Sequence, residues 1–113
     1  MKRIEATIQF NKTGAVSNAI NDLVGGFTIL EGNGRGSGAR QTIRSSRGTG
    51  TFVAEYNKVA IVSTIVDDSK ADAVIAAISE AAFTGNGGDG IIVTSSVDEV
   101  TNIASKKSGT EAL

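Results

Sequence analysis

Glycine and arginine, rather than the usual catalytic residue types, are what this sequence concentrates. Gly32, Gly34, Gly36 and Gly38 stand at every second position, and Gly85, Gly87, Gly88 and Gly90 form a second cluster. Such clusters mark turns, mobile loops or close approach of a ligand to the backbone. The run Gly32-Asn33-Gly34-Arg35-Gly36-Ser37-Gly38 follows a strand-like segment, where a phosphate-cradling loop would stand. No helical pattern follows at once and no Gly-Lys-Ser/Thr occurs, so neither the dinucleotide fingerprint nor the P-loop applies. Phosphate binding and a flexible loop base both stay open there. The second run, Thr84 to Gly90, offers several backbone N–H groups in a short space, a concavity that can hold an anion without a charged side chain. Taken alone, these residues fit a helix carboxyl cap with a tight turn slightly better.

The other residue types exclude more than they suggest. There is no Cys and no His, which removes thiol nucleophiles, disulfides, thiolate metal sites, the commonest general base and the commonest transition-metal ligand. Ser and Thr are plentiful, but no base accompanies them except carboxylates and lysines at ordinary spacings. Asp67-Asp68 fits a helix amino-terminal cap better than a metal site. No catalytic residue and no metal ligand are assigned, and the chain is not expected to be an enzyme. Arg35, Arg40, Arg44 and Arg47 face a single acid, Glu55, within the segment from Gly34 to about Glu55. This basic stretch lacks the interleaved aromatics of a base-stacking surface, and the net charge of the whole chain is −1. Arg40, Arg44 and Arg47 therefore read as contacts to a docking protein and not to nucleic acid.

The elements that must position these residues follow from periodicity. Residues 2–9 alternate, with Ile4, Ala6 and Ile8 on one side and Arg3, Glu5, Thr7 and Gln9 on the other, as in a half-buried strand. Asn11 or Thr13 could cap a helix in which Val16, Ala19, Ile20, Leu23 and Val24 recur, with Gly25-Gly26 as its stop. Phe27 to Glu31 reads as a second strand. The segment 34–55 has no strong period until Thr51-Phe52-Val53, and long loops of this kind are usually functional or disordered. Lys58 to Val66 is a clear strand. Asp67, Asp68 or Ser69 opens a second helix whose apolar face is Ala71, Val74, Ile75, Ile78, Ala81 and Ala82. Ile91 to Thr94 is a fourth strand, and the tail 97–113 holds one further short strand at most. This order predicts an α+β fold, the ferredoxin-like βαββαβ sandwich, in a single domain over 1–113. No apolar run approaches the length of a membrane span, and the amino terminus enters an alternating pattern without a signal-peptide core, so a cytoplasmic address is expected.

Taken in order, these pieces resemble the PII nitrogen-regulatory signal-transduction family, in a divergent form. Met1-Lys2-Arg3-Ile4-Glu5-Ala6 is similar to the family's opening strand, and Gly26-Phe27-Thr28 to its turn into the second. Arg47-Gly48 and the spacing to Lys58-Val59 are similar to the end of its long T-loop, here about 34–55 between strands 2 and 3. Thr84-Gly85 through Gly88-Asp89-Gly90 resembles its B-loop, 84–90, and Gly109 to Leu113 its carboxyl end. The resemblance implies a homotrimer that binds ADP, ATP or AMP in clefts between subunits. It also implies a T-loop that docks on a protein target such as a membrane transporter, a metabolic enzyme or a regulator. Carried over by residue, nucleotide contact falls on Gly34, Gly36, Ser37, Gly38, Gly88, Asp89 and Gly90, with Thr28 and Thr64 on the adenine side. Lys58 matches the lysine that pairs with 2-oxoglutarate, and Lys58, Arg35, Lys106 and Lys107 are candidate anion contacts.

The sequence also departs from the family pattern. Ile91 replaces the basic residue after Gly-Asp-Gly, and Asn102 and Ala104 stand where two phosphate-gripping arginines are usual. Gln41 is out of register with the family's glutamine, and Thr51 replaces the tyrosine that some members uridylylate. These changes should weaken ATP more than ADP or AMP. Two alternatives follow: an interaction trimer with a decayed nucleotide site, or a sensor of another small ligand such as a cyclic dinucleotide or a small anion.

Overall fold

The computed structural model describes residues 1–37, 40, 42–44, 48 and 50–113, with the backbone alone for Arg44. The expectations for Gly38, Gln41 and Arg47 lie outside the described residues. Four strands form one antiparallel sheet in the order β2-β5-β1-β6: β1 Lys2–Gln9, β2 Thr28–Gly34, β5 Asn57–Val66 and β6 Gly90–Ser96. Helices α1 (Thr13–Ile20) and α2 (Asp68–Ala82) cover one face. This is the ferredoxin-like arrangement expected from the element order.

Alternation explains the layering. Ile4, Ala6 and Ile8 of β1 and Ala60, Val62 and Val66 of β5 face the helices and meet Val16, Ile20, Val74 and Ile78 in one buried core. Fully burying one such side chain contributes about 1.5–3 kcal/mol. The opposite face is uncovered. Leu30, Ile61, Thr7 and Ile91 form one row across it, with Leu30 61 % and Ile91 66 % exposed. Helix α2 starts as its sequence predicts: the Asp67 carboxylate accepts from the Ser69 N–H at 3.2 Å.

Four details differ from the sequence expectation. Neither Asn11 nor Thr13 caps α1; a 3-10 turn at Phe10–Lys12 leads into it, and the Thr13 hydroxyl donates to the Phe10 carbonyl at 2.7 Å. The helix stops at Ile20 rather than near Val24; beyond it the chain tightens into a turn in which the Leu23 and Val24 N–H groups share the Ile20 carbonyl (2.9 and 3.2 Å). Leu23 and Val24 still pack on the core, which is why they kept helical spacing. Strand β2 runs on to Gly34, since Lys58 and Asn57 give Asn33 and Gly34 partners. Between them, β3 (Thr42–Arg44) pairs with β4 (Thr51–Val53) as a separate two-stranded ribbon. The molecule has a long axis of 58 Å against 28 and 22 Å. The tail carries an isolated bridge, Thr101 to Ser108, and a 3-10 turn at Gly109–Ala112. No helix among the described residues is long and apolar enough to cross a membrane.

Candidate functional site

Antiparallel pairing brings the end of β2, the start of β5, the end of β1 and the start of β6 to one end of the sheet. Three of these termini carry residues singled out above. Strand β2 hands the chain to Arg35, Gly36 and Ser37; β5 begins at Asn57 and Lys58; β6 emerges from the second glycine run. With Gln9 and Phe10 they line a cleft of about 790 Å³, to which Arg40, Gly87, Gly88 and Gly90 also contribute. That volume lies within the usual range for small-molecule sites.

One wall of the cleft is a hydrogen-bonded glycine turn. Gly85, Gly88 and Gly90 take φ values of 87°, 95° and 118°, which side-chain-bearing L residues rarely adopt. The Asp89 carboxylate closes the turn by accepting from the Thr84 N–H (2.7 Å), the Gly85 N–H (3.1 Å) and the Thr84 hydroxyl. The Thr84 hydroxyl first, and then the Thr84 N–H, hold this carboxyl below its ordinary value. Gln9 Nε2 ties the turn to β1 by donating to the Gly88 carbonyl (3.3 Å) and Asp89 Oδ1 (3.4 Å). Two acceptors that would repel an anion are thus engaged within the protein.

The other wall is cationic. The Arg35 guanidinium lies 3.4 Å from Glu55 Oε2, joining the two roots of the arm. Lys58 Nζ stands 3.9 Å above the Phe10 ring, a cation–π contact that fixes where its charge sits. Arg40, expected on the docking arm, is half-buried against the cleft and makes no ion pair with the described residues. Among the described residues, no cluster of His, Cys, Asp and Glu could hold a metal ion.

The remaining candidates lie elsewhere. Thr28 pairs with Ser63 at the far end of the sheet. Thr64 faces the helix layer, is only 4 % exposed, and donates its hydroxyl to the Gly26 carbonyl at 2.7 Å. Six residues of strand separate Lys58 from Thr64, about 20 Å. Lys106 and Lys107 belong to the tail that leaves the far end of β6, and they do not line the cleft. Asn102, in place of an arginine, builds that tail: its Oδ1 accepts from the Ala104 and Ser105 N–H groups, and its Nδ2 donates to the Ala112 carbonyl. Gln9 and Phe10 line the cleft although sequence reasoning does not single them out, and Glu55 stands beside it as the ion-pair partner of Arg35. Gln9 falls in the regular polar register of β1, so alternation alone does not mark it.

Comparison with known proteins identifies the family. The family model described as nitrogen regulatory protein P-II matches residues 1–107. Proteins named nitrogen regulatory protein P-II are similar along their entire length and that of this chain: 36 % identity for Nostoc punctiforme, 35 % for Rhizobium meliloti and 32 % for Azospirillum brasilense.

Proposed function

The chain belongs to the nitrogen regulatory protein P-II family, and from that premise we propose that this signal-transduction regulator binds an adenine nucleotide in the cleft at the β2–β5 root. Occupancy of the cleft then governs the arm, residues 34–55, through which the protein docks on a target protein. The observation that carries the reading is the meeting of two glycine segments and three cations, Arg35, Arg40 and Lys58, at one end of the sheet. Phosphate would lie between the glycine turn and the cationic wall.

The reading also requires a homotrimer. Thr28 and Thr64 are too far from the cleft to serve it within one chain, so the adenine side must come from a neighbouring copy. The uncovered apolar row with Leu30, Ile61 and Ile91 supports such packing. Light scattering at micromolar concentration should give a trimeric mass, and a monomer would overturn this part. The reading places the protein in the cytoplasm, where adenine nucleotides are made.

Titration calorimetry with AMP, ADP and ATP tests the ligand. ADP should bind at least as tightly as ATP, because Ile91, Asn102 and Ala104 supply no charge for a third phosphate. A second reading, an interaction trimer with a decayed site, is favoured by one observation: Asn102 is spent on its own turn. Absence of heat with all three nucleotides would select it.

A further inference from the structure

The last rung of the β2–β5 ladder is Gly34 to Asn57. Just beyond it, the two strands leave the sheet as the two roots of the arm, with Arg35 one residue past Gly34 and Glu55 two residues before Asn57. Their side chains meet at 3.4 Å although both are accessible, Arg35 at 50 % and Glu55 at 77 %. Arg35 also lines the cleft, whereas Glu55 does not. A cation of the site is therefore held by a carboxylate that is not part of it, and that carboxylate stands at the start of the returning chain.

We propose that Glu55 is a built-in counter-anion for Arg35, displaced when an anionic ligand enters the cleft, so that binding and opening of the arm's root are one exchange. The inference rests on the nucleotide reading above. A ligand phosphate and Glu55 compete for the same guanidinium, since one fork of N–H donors aimed at phosphate cannot hold the same geometry toward Glu55. An exposed ion pair is weak enough to be exchanged and strong enough to bias the root. When Arg35 turns to the ligand, Glu55 loses the contact that ties the two roots together beyond the Gly34–Asn57 rung. The arm then carries the signal as a change in the population of its root conformations.

The test is calorimetric titration of ADP into the full chain, the Glu55→Gln and Arg35→Gln variants, and the double variant. Both positions are solvent-exposed, so each variant should fold, which circular dichroism checks. Glu55→Gln should bind ADP about 1.5- to 5-fold more tightly than the parent, the range of an exposed pair. Arg35→Gln should weaken binding by about 10- to 100-fold. In the Arg35→Gln background, Glu55→Gln should change nothing. An equal tightening in both backgrounds would reduce Glu55 to a diffuse field effect and overturn the exchange. Unchanged or weaker binding by Glu55→Gln, with the parent binding ADP, would also overturn it while leaving the nucleotide reading intact. Binding by Glu55→Gln alone would support it. Silence from both parent and Glu55→Gln would end the exchange and the nucleotide reading together.

Discussion

A Cβ placed on Gly90 would lie 1.9 Å from the carbonyl oxygen of Thr7, on the neighbouring strand β1. The backbone at Gly90 also has φ of 118°. The first residue of β6 must therefore be glycine for the turn to join the sheet next to the cleft. Gly90→Ala should cost on the order of 3 kcal/mol of stability or more, the sum of backbone strain and a clash with main chain. Gly87 has open space around it and no positive φ, so Gly87→Ala should stay within about 0.5 kcal/mol. Urea unfolding of both variants checks the contrast. Valine at Gly88 would strain a backbone at φ 95°, which makes Gly87→Val the cleaner probe of anion access to the turn.

The Asp89 carboxylate gives the turn a pH dependence of definite sign. Its folded value is depressed below 3.8 by hydrogen bonds from Thr84 and Gly85, so its contribution is complete above the unfolded value and is lost as pH falls through the folded one. The Thr84 and Gly85 amide resonances, followed by NMR, should hold their positions down to the ordinary carboxylate range and move only below it. Asp89→Asn should shift both amides at neutral pH and speed their exchange. A titration midpoint above 3.8 would mean that the carboxylate does not close the turn.

Alternation in residues 2–9 and 58–66 made the sheet legible, because a half-buried strand must place Ile4, Ala6 and Ile8 on one side. The glycine runs were legible as turns, but periodicity says nothing about which turns meet. That follows from strand order, which put Gly34, Lys58 and Gly90 at one end and Thr28 and Thr64 at the other. Strand β3 was invisible: three residues, Thr42–Arg44, are too few to show a period. Arg40 looked like its neighbours in a basic run, and only its position against the cleft distinguishes it. The end of α1 is hidden for a related reason, since Leu23 and Val24 pack on the core at helical spacing without belonging to the helix.

Thr64 has a structural part that its adenine-side resemblance does not express. Its buried hydroxyl satisfies the Gly26 carbonyl where the chain enters β2. Thr64→Val keeps the shape and removes the donor, and it should lower stability by about 1–2 kcal/mol. Thr64→Ser should retain the bond at the cost of one methyl group. Thermal unfolding of the two variants separates the hydroxyl from the methyl group. A Val variant as stable as the parent would show that water replaces the bond.

The last prediction concerns 2-oxoglutarate, which the match of Lys58 to the family's lysine brings into question. A dianion needs more than one strong partner. A single charge-assisted hydrogen bond contributes about 1.5–3 kcal/mol, while a millimolar dissociation constant needs about 4.1 kcal/mol. Lys58 already rests on Phe10 at 3.9 Å, so engaging a carboxylate would also forfeit that contact. Arg35 is already paired with a tethered carboxylate, Glu55, and a second carboxylate offers it nothing that Glu55 does not, unlike a phosphate. Calorimetry should therefore register no 2-oxoglutarate binding at millimolar concentration, with or without Mg-ATP. Phe10→Leu should not create a response, because it frees the lysine without adding a second partner. Saturable heat from the parent would mean that Lys58 leaves the ring and finds that partner once nucleotide is bound, and the arm would then answer to carbon supply as well as to nucleotide.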